Sequence, residues 1–283
     1  MTDDDNGKIQ ASVESTMVGP LWARATYGQQ YTDLLQDRKA VEILEKVMAK
    51  HSDAKAEFKA LEEFMDEFMG LNFLIRAKIF DETINAFTDN HPNATVVNIG
   101  CGLDTTFPRV DNGRITWYDL DLPEAIEYRL QFIPESSRST CIPKSVLDHT
   151  WFDDVDFKPE NGIFFFAGGL FNYFKEKEVS DLCKTMAERF PGGELMFDVP
   201  SKIGNKIINR RFRKLGVKGI VFYFGLGNPV KQISRWSDRI EVIDWFSLFS
   251  RTHRNPRWKR RTRFMMSISD LFKVGKYVHL RFK

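Results

Sequence analysis

The chain has 283 residues, 42% of them hydrophobic, with 41 lysines and arginines against 39 aspartates and glutamates. That is enough for one large domain, and the near-neutral balance gives no reason to expect nucleic acid or an anionic membrane as partner, so a small-molecule substrate is expected. Cys101, Cys141 and Cys183 lie far apart without a CxxC pair, MTDDDNGKIQ lacks a secretory pattern, and no stretch approaches the ~18 apolar residues of a membrane span. A cytoplasmic protein with free thiols and no metal site is expected.

The first ten or so residues are charged and almost without large apolar groups, so order is expected from about Val13. From Asp37 to Lys50 the apolar residues Ala40, Val41, Leu44, Val47 and Met48 recur at helical spacing. A longer helical region is predicted from about Ala54 to Phe87, with an interruption at Gly70. Residues 1–90 read as an N-terminal helical cap of the same domain, and residues 91–283 as its core.

After His91-Pro92 the period changes. ATVVNIG, RITWYDL, STCIPK, GIFFFAG and GELMFDV are short runs rich in β-branched and aromatic residues, each too short for a typical helix. Pro123 to Gln131 and Glu176 to Phe190 fit helices between them, and this alternation predicts a Rossmann-like, mostly parallel, doubly wound α/β sheet. KYVHLRF alternates and is expected as an antiparallel edge strand; residues from about Ser201 to Trp236 read as an inserted lid.

The sharpest chemical signal is VVNIGCGLDT, a strand followed by Gly100-Cys101-Gly102 and then Asp104 and Thr105. Glycines let the backbone take positive φ and approach a ligand without a Cβ in the way, and such turns sit at the carboxyl ends of strands in open α/β sheets. The next strand, ITWYDLD, ends in carboxylates about 20 residues on, where Asp121 is placed to accept hydrogen bonds from ribose hydroxyls. A dinucleotide site wants a third glycine and a helix N-terminus free for pyrophosphate. Here position 105 is threonine and Asp104 adds a negative charge, which suits the ammonium and sulfonium of S-adenosylmethionine (SAM) better than a pyrophosphate.

The sequence resembles the leucine carboxyl methyltransferase family, and more closely its branch of tetracenomycin-type polyketide O-methyltransferases. TMVGPLWARA, LIRAKIFD, VVNIGCGLDT, WYDLDLPEAIEYR, SVLDHTWFDDV, FFFAGGLFNYF and KYVHLRF carry the likeness in that order. The resemblance implies a class I methyltransferase with SAM as cofactor. It implies that Arg24 and Arg76 hold the SAM carboxylate, that Gly100 and Gly102 face its methionine portion, and that Asp121 binds the ribose. Val146 and Leu147 would border the adenine and Asp148 would accept its amino hydrogens. Many relatives carry an acidic residue where this chain has Gly168, within Ala167-Gly168-Gly169; the departure removes a carboxylate near the cofactor.

The function expected is methyl transfer from SAM to an oxygen of a small acceptor, polyketide-like, phenolic or carboxylic. Protein C-terminal carboxyl methylation and a non-catalytic SAM-binding module stand as alternatives. Such a displacement needs alignment more than a nucleophile, so no catalytic residue is assigned; Tyr173, His149 and His253 are noted and read equally well as packing or surface groups. HRNPRWKRRTRF is a strong basic run, with a solvated loop as its plain reading and attraction of an acidic partner as its functional one. Trp236, Trp245, Phe246 and Trp258 fit either an acceptor pocket or the core.

Overall fold

The computed structural model describes residues 13–50, 65–214 and 220–283. The expected frayed terminus and the part of the predicted second helix before residue 65 lie outside them. The first elements are helices α1 (Val13–Gln30), α2 (Arg38–Lys50) and α3 (Glu67–Asn90). The Asp66 carboxylate accepts the Met69 N–H and caps α3. Gly70 does not interrupt this helix: a Cβ there would stand 2.1 Å from the Tyr27 ring, so the glycine admits a side chain of α1. The sequence shows glycine as a helix breaker; the packing shows it as a socket.

Then follow β1 (Thr95–Ile99), α4 (Phe107–Val110), β2 (Thr116–Asp121), α5 (Pro123–Leu130), β3 (Ser139–Pro143) and β4 (Ile163–Ala167). The chain continues through α6 (Glu176–Arg189), β5 (Glu194–Pro200), α7 (Lys202–Lys214), α8 (Pro229–Ile233), β6 (Ile240–Ser247), α9 (Arg260–Leu271) and β7 (Gly275–Phe282). The strands form one sheet in the order β3-β2-β1-β4-β5-β7-β6. Pairs from β3 through β5 are parallel, and β7 is antiparallel to both its neighbours. Successive strands leave β1 in opposite directions, β2 on one side and β4 on the other, which opens a crevice at their carboxyl ends.

Pleating sends alternate residues of each strand to opposite faces. Val97, Ile99, Phe165, Leu195 and Phe197 join a cluster with α6, whereas Val96, Phe164, Phe166 and Met196 pack against Leu74, Ile75 and Phe80 of α3. Helix α3 thus shares its core with the sheet and sets the position of its own Arg76.

Two expectations are corrected here. β7 is an interior strand, because β6 (IEVIDWFS) pairs along its outer side and takes the edge. The pattern of β6 is obscured by its setting: Trp245 packs against one cluster and Phe246 against the other, with a register shift between Val242 and Asp244. The basic run is not simply a solvated loop either. Trp258 is buried, Arg254 pairs with Asp270 at 2.6 Å, Arg257 pairs with Asp33 at 2.6 Å, and the last residues of the run open α9.

Candidate functional site

The turn after β1 is built on two glycines with φ of 72° (Gly100) and 46° (Gly102). A Cβ at Gly100 would stand 2.9 Å from Leu170, and one at Gly102 would stand 3.0 Å from Met17. Both positions therefore require glycine for backbone conformation and for space. The Gly100 N–H donates to the Leu120 carbonyl at 2.7 Å and the Gly102 N–H to Asp121 Oδ2 at 2.8 Å, which ties the turn to the end of β2. Asp121 Oδ1 accepts the Leu122 N–H at 2.8 Å. Burial pushes the Asp121 carboxyl above its ordinary pKa, against the pull of those two N–H donors. Each oxygen accepts one N–H and keeps lone-pair capacity for a further donor.

The carbonyls of the turn are held from below by groups the sequence analysis did not single out. Arg129 donates through Nη1 to the Gly102 and Asp104 carbonyls at 2.9 and 2.7 Å, and through Nη2 to Asp119 Oδ2 at 2.7 Å. Asn98 donates to Asp119 Oδ1 at 3.0 Å and to Asp104 Oδ2 at 3.3 Å. The signal for both was present: Asn98 and Asp119 are polar residues inside fully buried strand segments, and such groups need partners.

Arg24 lies beside this turn. Its Nη2 donates to the Leu103 carbonyl at 2.8 Å and its Nε to Asp37 Oδ2 at 3.0 Å, which leaves Nη1 without a hydrogen-bonded partner among the described residues. Asp37 also accepts from Thr105 Oγ1 at 2.5 Å and Arg109 Nη1 at 2.7 Å, so it joins the cap to the loop that follows the glycines. Burial alone would raise the Asp104 carboxyl, but Arg24, Arg109 and the Thr106 N–H hold it below its ordinary value. Arg109 reaches on to Asp81, whose carboxyl burial pushes up to about 6 in spite of that pair. A surface hollow of about 410 Å³ opens behind this network, lined by Lys78, Asp81 and Arg109 among others, and not at the glycine turn.

Across the crevice, Arg76 lies against the loop after β4. A Cβ at Gly168 would meet Phe80 at 3.2 Å and Arg76 Nε at 3.7 Å, and one at Gly169 would meet Arg76 Nη1 at 2.5 Å. Asp198, at the end of β5, accepts the Gly169 N–H at 2.6 Å and stands 3.7 Å from Arg76 Nη1. Tyr173 is 37% exposed and packs edge-on against Phe222; desolvation raises its phenol pKa, opposed by Arg76. The loop after β3 carries the remaining residues. Val146 is buried in the cluster that holds Ile99 and Leu120, Leu147 is 37% exposed, and Asp148 Oδ1 accepts from Thr150 N and Oγ1, which lowers its pKa.

Gly100, Gly102, Asp104 and Asp121 therefore form one bonded unit with Arg24 attached, while Arg76 and Gly168 form a second group facing it through Leu170. His149 packs on Phe152, and His253 is exposed. Trp245, Phe246 and Trp258 pack into or against the two main core clusters.

A mostly parallel seven-stranded sheet with an antiparallel β7, a positive-φ glycine turn after β1 and a carboxylate ending β2 define a class I, Rossmann-like methyltransferase. The chain belongs to the leucine carboxyl methyltransferase family, whose model matches residues 17–187. It is 30% identical over 231 residues to the tetracenomycin polyketide synthesis O-methyltransferase TcmP of Streptomyces glaucescens, covering 79% of this chain and 78% of that one. Among solved structures, a putative methyltransferase from Thermobifida fusca YX superposes with a TM-score of 0.58 at 12% identity, covering 99% of this chain and 97% of the other. A DUF574 family protein from Streptomyces avermitilis gives a TM-score of 0.54 at 9% identity over 93% and 97% of the two chains. The chain is a SAM-dependent methyltransferase, SAM being the methyl donor of this family. Among the described residues no helix is long and apolar enough to cross a membrane.

Proposed function

We propose that this methyltransferase acts on an oxygen of a small, polyketide-like acceptor in the cytoplasm. The observation that carries the site assignment is Arg76: its side chain is 16% exposed, yet it donates no hydrogen bond to any described residue. A nearly buried guanidinium with its donors unspent is poised for an anion, and a planar carboxylate matches its fork. On this reading Arg76, helped by Nη1 of Arg24, holds the SAM carboxylate. Gly100 and Gly102 pass beneath the methionine portion and Asp121 binds the ribose. Asp104 adds negative potential beside the turn, and the loop Val146-Leu147-Asp148 borders the adenine.

The bound sulfonium would supply the activated methyl group, so the protein's work is alignment and exclusion of water. The segment from Ser201 to Trp236 supports a closing role over the acceptor. Its extended part is clasped by Asn209, which bonds both the N–H and the carbonyl of Phe222 at 2.9 and 2.8 Å, and by Lys276, which donates to the Leu226 carbonyl at 2.8 Å. Tyr173, Phe222 and Phe212 form an edge-to-face aromatic series on that side, suited to a flat aromatic acceptor. The likeness to TcmP favours the polyketide-like class; the family description favours carboxyl methylation as the second reading. Calorimetric titration with SAM and S-adenosylhomocysteine, with NAD as control, tests the cofactor assignment. A screen of phenolic and carboxylic acceptors, read by mass spectrometry, then separates the two acceptor classes. Binding of NAD without binding of the SAM pair would refute the reading.

A further inference from the structure

Asp198 was not singled out by sequence, yet it holds a distinctive place. Strand β5 is paired on both sides, to β4 and to β7, so its terminal carboxylate is fixed by the sheet. The side chain is 13% exposed; Oδ1 is occupied by the Gly169 N–H, and Oδ2 accepts no hydrogen bond from any described residue. The nearest cation, Arg76 Nη1, stands 3.7 Å away, beyond hydrogen-bond distance. Tyr277, opposite Asp198 across the β5–β7 pair, is fully buried and its hydroxyl is also unpartnered.

Arg76 and Asp198 form an ion pair at 3.7 Å without a hydrogen bond, and Arg76 also lies 4.9 Å over the Phe73 ring, so both charges are only loosely compensated and keep hydrogen-bonding capacity for a ligand. The ligand chemistry that completes both at once is a zwitterion, with a carboxylate for the fork and an ammonium for the open oxygen. An α-amino acid end has that form. Gly168 supports the same conclusion by what it leaves out, since a side chain there would enter the space beside Phe80 and Arg76 Nε. A carboxylate arriving from β5 reaches the same region without crowding Arg76.

We infer that Asp198 receives the α-ammonium of SAM while Arg76 receives its α-carboxylate, so that β5 supplies the negative charge absent at Gly168. The assignment rests on the cofactor reading proposed above. Its test compares S-adenosylhomocysteine with the analogue lacking the α-amino group, titrated calorimetrically into the wild type and Asp198→Asn. The asparagine keeps an acceptor for the Gly169 N–H but puts an NH₂ donor in place of the open oxygen that would face the ammonium.

The wild type is expected to prefer S-adenosylhomocysteine over the deaminated analogue by about 10- to 100-fold, the scale of a charge-assisted hydrogen bond. Asp198→Asn is expected to erase that preference while binding the analogue within about threefold of the wild type. Arg76→Met should weaken both ligands alike, because both retain the carboxylate. Equal weakening of both ligands by Asp198→Asn would show a merely structural clamp on Gly169 and overturn the inference. A wild type with no preference between the ligands would overturn it without recourse to any variant. A wild type that binds neither would remove the cofactor reading itself, and the inference with it.

Discussion

Arg129→Met should be among the most destabilising single changes near the site. The wild-type guanidinium is buried, donates to two carbonyls of the glycine turn and to Asp119, and has no bulk water to replace it. Methionine fills much of the volume and removes three hydrogen bonds, one of them to a buried carboxylate. Breaking one side of a buried ion pair costs about 3 to 5 kcal/mol, chiefly through the charge left behind. Asp119 keeps one bond from Asn98, and burial already raises its carboxyl above the ordinary range against the opposing pull of Arg129. Without Arg129 that rise grows, so the folded variant holds a proton that the unfolded chain, with a carboxyl pKa near ~3.9, has released. The sign follows from linkage: a raised folded pKa means stability present at low pH and lost as pH rises through it. The loss caused by Arg129→Met should therefore be smaller at acidic than at alkaline pH, and Arg129→Met with Asp119→Asn should lose less than Arg129→Met alone. Urea unfolding midpoints at two pH values measure both. A loss below about 1 kcal/mol, or a double variant no better than the single one, would refute the reasoning.

Lys276 provides a pH test of the opposite sign. Burial lowers its pKa from 10.5 to about 8, so folding releases its proton and stability should rise between roughly pH 8 and 10.5, by an amount on the order of 3 kcal/mol at most. Lys276→Met should flatten that rise in urea unfolding, and a variant that still rises would locate the effect elsewhere. Gly100→Ala should lower stability by about 1 to 3 kcal/mol, because φ there is 72° and the new Cβ meets Leu170; thermal unfolding reads it, and an unchanged Tm would contradict the stated geometry. Asp121→Asn should weaken SAM binding by about 1.5 to 3 kcal/mol in calorimetry, and unchanged affinity would remove Asp121 from the ribose site.

β1, β4 and β5 were legible because they are buried on both faces and read as mostly apolar runs, and the edge strand β3, exposed on one side, was legible from its β-branched residues between turns; each observed boundary falls within two residues of the motif that announced it. β6 was not legible, since an edge strand with large aromatics on both faces shows neither a continuous run nor clean alternation. α9 was hidden for a different reason. It buries Thr262, Met266 and Ser269 while leaving Phe264 and Leu271 exposed, the reverse of the polarity that a helical pattern search rewards. The role of Gly70 depended on Tyr27, a residue of another helix, and nothing local could announce it.

The candidate site divides along a line that composition cannot draw. Arg24, Arg76, Arg109 and Arg129 are the same residue type, yet the fold spends them differently. Arg109 spends all three nitrogens, and Arg129 both Nη groups, on carbonyls, hydroxyls and carboxylates of the protein, with Asp119, Asp37 and Asp81 as counter-charges; Arg129 Nε is buried without a partner. Arg24 is largely committed to Asp37 and Leu103, and only Arg76 keeps its full set of donors. Arg76 has an ion-pair contact with Asp198 at 3.7 Å but makes no hydrogen bond to a described residue, and a largely withdrawn guanidinium in that state is stabilised by any further acceptor that reaches it. On that ground Arg76 and Asp198 belong together, although they are far apart in the chain and only one was visible in a motif. The rest of the arginine network ties the glycine turn to β2 and to the cap, which is the rigidity that the proposed ligand-facing role of Arg76 and Asp198 would require.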